Sequence, residues 1–293
     1  LHEEVEKALN AIGERVEGSS IHDITRTIET QRKTRFWRDG PVLDTAISAL
    51  EMALWDLKGK ELGAPVHDLL GGRVRERVRV YRNLWGRNPE EFADSAREAM
   101  AQSMTAVKVS PAGPTPDVVS RAVLNDMVDV VRAVREAVGP NTDLAIDLHG
   151  RLTPAASRRA VHALAPMDPF FIEEPCLPDG SPSHIADLRA LRTAQPVAIA
   201  TGERLRSAHA FAQHLLPSPV VDIIQPDVSM VGGIRASVEI GAMASAAQVA
   251  MAPHCPYGPI QFAASMQIAA TSPAHLIQEF QSLGGAGSGG GTP

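Results

Sequence analysis

The sequence contains few of the features that mark secreted, membrane or nucleic-acid-binding proteins. Two cysteines in 293 residues, Cys176 and Cys255, cannot build a disulfide framework, so we expect a reducing cytoplasm as the location. No apolar run reaches the roughly 18–20 residues that cross a bilayer, so no membrane span is expected. The net charge of −6 gives no electrostatic reason to expect nucleic acid or an anionic membrane surface as a partner.

Both ends of the chain depart from the pattern of a complete protein. It begins at Leu1 without a methionine, and LHEEVEKALN is a charged helical pattern. A signal peptide would need an apolar core of about 7–15 residues instead. The chain ends in GGAGSGGGTP, which has the composition of a flexible linker. We therefore expect a fragment or a trimmed chain with a flexible tail.

The apolar residues that are present recur first with helical and then with strand-like periodicity. Residues 2–16 and 44–62 each place apolar side chains along one helix face, and a further helix is expected from about Ile21. From residue 77 onward, eight short apolar runs alternate with helical patterns. These runs lie at 77–83, 106–110, 143–149, 170–175, 197–203, 222–227, 249–255 and 275–280.

Strand–helix alternation over about 200 residues is typical of right-handed βαβ units and a parallel sheet. Eight such units favour a closed α/β barrel of the TIM type over an open doubly wound sheet. No Gly-x-Gly-x-x-Gly motif follows a strand-like run, which weakens a dinucleotide-binding interpretation.

Nearly every strand-like run ends in a polar or ionisable residue. In a parallel barrel these ends meet at one mouth, where the loops form the active site. A single charged residue at a strand end would only mark the point where the strand reaches solvent. Seven polar residues that meet at one mouth of a barrel predict an active site there. The seven residues are Lys108, Asp147, Glu173, Glu203, Asp227, His254 and Glu279.

Asp147, Glu173 and Glu203 end three successive runs and are candidate metal ligands. Hard cations such as Mg²⁺ prefer carboxylate oxygens, and three acids at one rim would otherwise repel each other. Taken singly, each could be a surface carboxylate. Glu173 and Glu174 are adjacent, so strand alternation allows only one of them to face the metal. Spacing alone does not choose between them.

Two histidines are each expected to lie close to an aspartate. His149 lies two residues after Asp147 and points the same way; it is a candidate ligand, acid/base group or buried structural residue. Asp227 and His254 end the sixth and seventh runs, which are neighbours in a barrel. An aspartate that is hydrogen-bonded to one imidazole nitrogen orients the ring and leaves the other nitrogen free to act as a general base. Alternatively, Asp227 only caps its loop.

Six segments together resemble the mandelate racemase subgroup of the enolase superfamily, and within it the galactonate-dehydratase-like acid-sugar dehydratases. The resemblance covers roughly residues 35–281, and the order and spacing of the motifs agree with that family. The segments are DLHGR (147–151), FFIEEP (170–175), ATGERL (200–205), IIQPDVSMVGGI (223–234), APHCPYGPI (252–260) and LIQEF (276–280).

The resemblance implies a (β/α)₇β barrel with a helical capping domain that is incomplete here, because the family's three-stranded sheet and returning C-terminal segment have no counterpart. It divides the chain into a partial cap at 1–72, a barrel at 73–283 and a tail at 284–293. Arg35 and Trp37 are either substrate-facing cap residues or residues that pack the cap on the barrel. Asn83 and Trp85 lie near the mouth without an assigned role.

The resemblance also implies roles for the strand-end residues. Asp147, Glu173 and Glu203 match the Mg²⁺ ligands, and His254 with Asp227 matches the dyad that takes the α-proton. His149 matches the histidine that protonates the leaving hydroxyl. Glu279, if protonated or bridged, hydrogen-bonds the substrate carboxylate. Lys108 matches the first lysine of a Lys-x-Lys pattern and supports the carboxylate electrostatically.

The second position of that pattern is Ser110, which disfavours racemases and cycloisomerases that use the second lysine as base. We therefore expect a Mg²⁺-dependent dehydratase of a sugar acid such as galactonate or gluconate, a carbon–oxygen lyase that yields a 2-keto-3-deoxy acid. A racemase or epimerase and a catalytically silent fragment remain the alternatives. The resemblance further implies assembly into a homo-oligomer.

Overall fold

The computed structural model describes residues 2–178, 181–194 and 196–281, so the predicted tail at 284–293 lies outside the described residues. The described residues before the first strand form only helices. These are α1 (His2–Val16), α2 (Ile24–Lys33), α3 (Pro41–Leu62) and the short α4 (Val66–Leu69). Pro41 stands at the start of α3, and Gly63 ends it with φ of 62°, a left-handed conformation that glycine adopts without strain.

Within the described ranges, eight parallel strands follow, and seven α-helices lie between them. The strands are β1 (Val80–Asn83), β2 (Ala106–Val109), β3 (Asp143–Asp147), β4 (Phe171–Glu173), β5 (Ile199–Thr201), β6 (Ile223–Ile224), β7 (Ala250–Met251) and β8 (Gln278–Phe280). The helices are α5 (Pro89–Ala101), α6 (Arg121–Val138), α7 (Pro154–Leu164), α8 (Pro182–Ala194), α9 (Ala208–Leu215), α10 (Ile234–Ala246) and α11 (Pro259–Thr271).

The sheet curls into a closed ring. Its strands run in the order β7-β6-β5-β4-β3-β2-β1-β8. Met251 of β7 joins the segment before β8, because its N–H donates to the carbonyl of Ala274 and its carbonyl accepts from Leu276, each at 2.8 Å. This arrangement of seven strand–helix units and a final strand confirms the predicted α/β barrel fold with a helical cap.

The barrel interior is filled at its lower level and polar at its mouth. One layer of buried side chains occupies the centre, and a larger apolar layer lies between the strands and the outer helices. The strand residues that follow the inner layer are the polar ones that face the mouth. The inner layer consists of Tyr81, Ala106, Ala145, Phe171, Ala200, Ile223, Ala252 and Ile277.

The cap is joined to the barrel through α3 and α10. The buried carboxylate of Glu51 accepts hydrogen bonds from the backbone N–H groups of Ile234 (2.7 Å) and Arg235 (2.9 Å) at the start of α10, and from Trp55 Nε1 (2.8 Å). Gly233 has φ of 91°, and a Cβ there would overlap the Glu51 carboxylate. Glu51 therefore satisfies helix N–H groups that would otherwise be buried without an acceptor.

A second junction is ionic. Asp44 of α3 is buried and lies 3.5 Å from Arg32 of α2 and 3.3 Å from Arg206, which follows β5. The cap thereby contacts the loop after β5, which also carries Glu203. Across the described residues, no helix combines the length and apolar character that membrane crossing requires.

Candidate active site

Four of the seven polar strand-end residues, Lys108, Asp147, His254 and Glu279, line a cavity of about 720 Å³ at the mouth of the barrel. Parallel pairing brings them to the same level, since Asn83 is in register with Lys108 and Asp147 with Glu173. The lining includes Asn83, Lys108, Ser110, Asp147, His149, His254 and Glu279.

Three carboxylates form a cluster that could hold a cation. One oxygen from each of Asp147, Glu173 and Glu203 lies within 4.8 Å of the others. Burial raises the pKa of Glu173 well above its usual range, and the negative charge of Asp147 adds to the effect. Glu173 Oε1 is buried and has no hydrogen-bond partner among the described residues. An unpartnered buried oxygen in a mutually repelling group of acids is what a hard cation would relieve, so these residues fit Mg²⁺.

The neighbouring Glu174 has different partners, as strand alternation predicts. Its Oε1 accepts from Thr201 Oγ1 at 2.5 Å and from the N–H of Gly202 at 3.0 Å. Burial and the charge of Glu203 raise the pKa of Glu174 to about 7. The geometry thus separates the two glutamates, which spacing alone did not.

Lys108 lies at the centre of the acidic residues. Its Nζ is 2.8 Å from Glu173, 3.1 Å from Glu279 and 3.6 Å from Asp147. Burial alone would lower the pKa of Lys108, but the charges of Glu173 and Glu279 raise it well above its ordinary value. Lys108 is therefore an ammonium ion that offsets part of the negative charge of the site.

Glu279 meets only hydrogen-bond donors. Its Oε1 accepts from Asn83 Nδ2 at 2.8 Å as well as from Lys108, and its Oε2 accepts from the backbone N–H of Cys255. Burial would raise the pKa of Glu279, but Lys108 and His254 together with these hydrogen bonds lower it to about 2. Glu279 is thus ionised in this structure, and a hydrogen bond from it to another carboxylate requires a proton or a bridging donor.

His254 and Asp227 form the expected pair. His254 Nδ1 lies 2.7 Å from Asp227 Oδ2, and His254 Nε2 lies 3.3 Å from Glu203 Oε2 in the carboxylate cluster. Although burial would lower the pKa of His254, the charges of Glu279, Glu203 and Asp227 raise it to about 10. The other oxygen of Asp227 accepts from the N–H of Ser229 (2.7 Å) and from Gln261 Nε2 (2.8 Å).

His149 is held against Asp147. Its backbone N–H donates to Asp147 Oδ1 at 2.8 Å, and its Nε2 lies 3.0 Å from Asp147 Oδ2. The residue adopts φ of 52°, which is uncommon for a side chain of this size. Its ring lines the cavity, and its Nδ1 has no hydrogen-bond partner among the described residues.

Sequence reasoning left two polar contacts of the site without a role. Asn83 was noticed only as a residue near the mouth, and Gln261 was not noticed, because an amide on a helix carries no motif. Trp37 was expected either to face the substrate or to pack the cap on the barrel; it is 78% exposed and contacts Phe36 edge-on, which does not fit the packing role. Trp85 is also exposed, at 59%.

Two family models match the chain. The model described as mandelate racemase / muconate lactonizing enzyme, N-terminal domain, matches residues 2–71, and the one described as enolase C-terminal domain-like matches residues 91–285. An enolase from Agrobacterium radiobacter, solved with bound Na and L-malate, superimposes with a TM-score of 0.84 and 32% identity, over 94% of this chain and 71% of that one.

Curated relatives carry dehydratase names. The D-gluconate dehydratase of Thermoproteus tenax is 41% identical over 232 residues, which cover 78% of this chain and 46% of that protein. The D-galactonate dehydratase of Variovorax paradoxus is 35% identical over 280 residues, which cover 96% of this chain and 72% of that protein. The chain thus spans about half the length of the first relative and under three quarters of the second.

Proposed function

Because the chain belongs to the mandelate racemase / muconate lactonizing enzyme family of the enolase superfamily, we propose that it is a Mg²⁺-dependent dehydratase of a sugar acid. The substrate is an aldonic acid such as galactonate or gluconate. The reaction removes the proton next to the carboxylate, expels the β-hydroxyl and gives a 2-keto-3-deoxy acid.

One observation carries the proposal. His254 is oriented by Asp227 through Nδ1, while its other nitrogen lies 3.3 Å from Glu203 in the carboxylate cluster. A general base that lines the cavity therefore lies directly beside a residue of the cation-binding group. α-Proton removal needs both, since the proton next to a carboxylate is very weakly acidic.

Asp147, Glu173 and Glu203 would hold the cation. When bound, it supplies positive charge beside the substrate carboxylate and offsets the negative charges that raise the pKa of His254. His254 then accepts the α-proton at Nε2. Asp227 keeps the ring in the tautomer with Nδ1 protonated and stabilises the imidazolium that forms.

Lys108 and Glu279 bind the carboxylate end of the substrate in this proposal. Glu279 is ionised, so it cannot donate to a second carboxylate. The Lys108 ammonium, 3.1 Å from Glu279, supplies the bridging donor instead. Fixed donors beside a developing negative charge are a large part of catalysis, and removal of one such donor elsewhere costs about 10²–10³ in rate.

His149 acts as the acid that protonates the departing β-hydroxyl. Its contact with Asp147 fixes the ring at the cavity wall. Ser110 lines the cavity where a second lysine base would otherwise stand, and a hydroxyl is too weak a base for α-proton removal. This difference favours elimination over racemisation.

The test is a screen of the purified chain with Mg²⁺ against a panel of aldonic and aldaric acids, with detection of 2-keto-3-deoxy product. We expect product from at least one aldonic acid and its loss in EDTA. Exchange of the α-proton with solvent deuterium without keto acid would instead identify a racemase or epimerase. Absence of both reactions across the panel would contradict the proposal and favour a silent fragment.

A further inference from the structure

Gln261 lies behind the His254–Asp227 pair, on the side away from the cavity. It belongs to the first turn of α11 and is only 4% exposed. Its Nε2 donates to Asp227 Oδ1 at 2.8 Å and lies 3.4 Å from the carbonyl of His254, while its Oε1 accepts from the N–H of Tyr257 at 2.8 Å.

The orientation of this amide is determined from both ends. The N–H of Tyr257 can only donate, so it must face Oε1. Asp227 Oδ1 already accepts from Ser229 N–H, so the NH₂ group of Gln261 must face it. Both requirements are met by one rotamer, and Gln261 is thereby locked between the loop that carries His254 and the carboxylate that orients it.

The two carboxylate oxygens of Asp227 have different hydrogen-bond partners. Oδ2 contacts His254 Nδ1, and Oδ1 accepts from Ser229 N–H and Gln261 Nε2. The Ser229 contact is local, because it joins residues two positions apart in the same loop. The Gln261 contact ties Asp227 to a helix and therefore restrains rotation of the carboxylate about its Cβ–Cγ bond.

We propose that Gln261 is a positioning residue for the base: it holds Asp227 so that Oδ2 stays directed at His254 Nδ1. The inference rests on the proposed function in so far as His254 is the base. The contact itself is a property of the folded chain and can be tested without turnover.

Three variants separate this role from a purely structural one. Gln261→Glu keeps the length and the acceptor for Tyr257 N–H but replaces the donor that faces Asp227. Gln261→Met removes both contacts at similar size. Gln267→Glu is the matched control, because Gln267 lies on the same helix and uses its Oε1 to accept from the N–H of His67, remote from the pair.

Each variant is measured in two ways. Steady-state kinetics with Mg²⁺ and the best acid of the screen give kcat and KM. Proton–nitrogen NMR of histidine-labelled protein detects the hydrogen-bonded Nδ1–H of His254, assigned by its loss in His254→Asn. Thermal unfolding confirms that each variant is folded.

For both Gln261 variants we expect kcat to fall about 10- to 100-fold, the range of a hydrogen bond to a charged group, with KM nearly unchanged. The His254 Nδ1–H signal should weaken through faster solvent exchange, and Gln267→Glu should match the wild type in both readouts. A wild-type His254 signal or a wild-type kcat in Gln261→Met, which has no donor for Asp227, would overturn the inference. If the wild type turns over no acid, the proposed function fails, and the NMR signal alone decides the role of Gln261.

Discussion

Mg²⁺ should raise the unfolding midpoint of this protein, because the cation site exists only in the folded chain. The ligands come from three successive strand ends that are separated in sequence: Asp147 ends β3, Glu173 ends β4 and Glu203 follows β5. Their oxygens lie within 4.8 Å of one another only when the barrel is closed. A cation that binds the native state and not the unfolded chain stabilises by mass action.

The size of the shift in unfolding midpoint depends on the ratio of the Mg²⁺ concentration to Kd. At a Mg²⁺ concentration 100 times Kd, one site contributes about 2.7 kcal/mol. Each kcal/mol moves Tm by about 2–4 °C in chains of about this size. The expected rise is therefore about 5–11 °C, measured by circular dichroism melting with Mg²⁺ against EDTA.

Glu173 and Glu174 provide a matched pair of variants. Both carboxylates are fully buried and adjacent in sequence, but only Glu173 belongs to the cluster. Glu173→Gln should lose most of the Mg²⁺-dependent rise. Glu174→Gln should keep it, because an amide oxygen can still accept from Thr201 and Gly202. Equal shifts in both variants, or no shift in the wild type at millimolar Mg²⁺, would refute the assignment of the cluster.

Three further results are expected. His254→Asn should abolish exchange of the α-proton in deuterated water, with exposed His209→Asn as control; persistent exchange would assign the base elsewhere. Burial, with the charge of Arg75, lowers the pKa of His275 to about 3. Below about pH 6.5 this histidine is therefore protonated in the unfolded chain but stays neutral in the folded chain. Stability should fall by about 1.4 kcal/mol per pH unit as the pH drops from 6.5 toward 3, and denaturant titrations of His275→Leu should lack this component. Burial raises the pKa of Cys255 to about 12, so iodoacetamide at pH 8 should label it only after unfolding; rapid labelling of the native protein would contradict its burial.

The strands and most helices could be read from the sequence because their patterns are local. The run at 143–149 predicts β3, and residues 2–16 match α1. The hydrogen-bonded strands are shorter than the apolar runs that predict them. Of the run at 222–227, only Ile223–Ile224 belongs to β6. Pro226 has no backbone N–H and cannot extend the ladder, and Asp227 accepts from Ser229 N–H, a contact that side-chain periodicity does not encode.

The sequence predicts which residues gather at the candidate site, but it does not predict the hydrogen bonds and ion pairs between them. Family motifs pointed to Lys108 and Glu279, yet the protonation of Glu279 depends on three donors from β1, β2 and the loop after β7. Helix α11, which carries Gln261, lies between the runs at 249–255 and 275–280, where the alternation predicts a helix without giving its bounds. Its sequence is apolar on several faces, because the helix is packed against both the barrel and the cap. Charges and hydrogen bonds between distant segments arise only from the folded geometry.

The contact between Glu51 and α10 limits how such a chain can be recombined. A barrel without this cap would deprive the N–H groups of Ile234 and Arg235 of their carboxylate acceptor, although both lie far from the junction of the two segments in sequence. A cap taken from another protein could replace this one only if it carried an acidic side chain at the position of Glu51. The new barrel partner would also have to keep glycine at position 233, where a Cβ would overlap that carboxylate. The two halves are therefore exchangeable as a matched pair and not as independent modules.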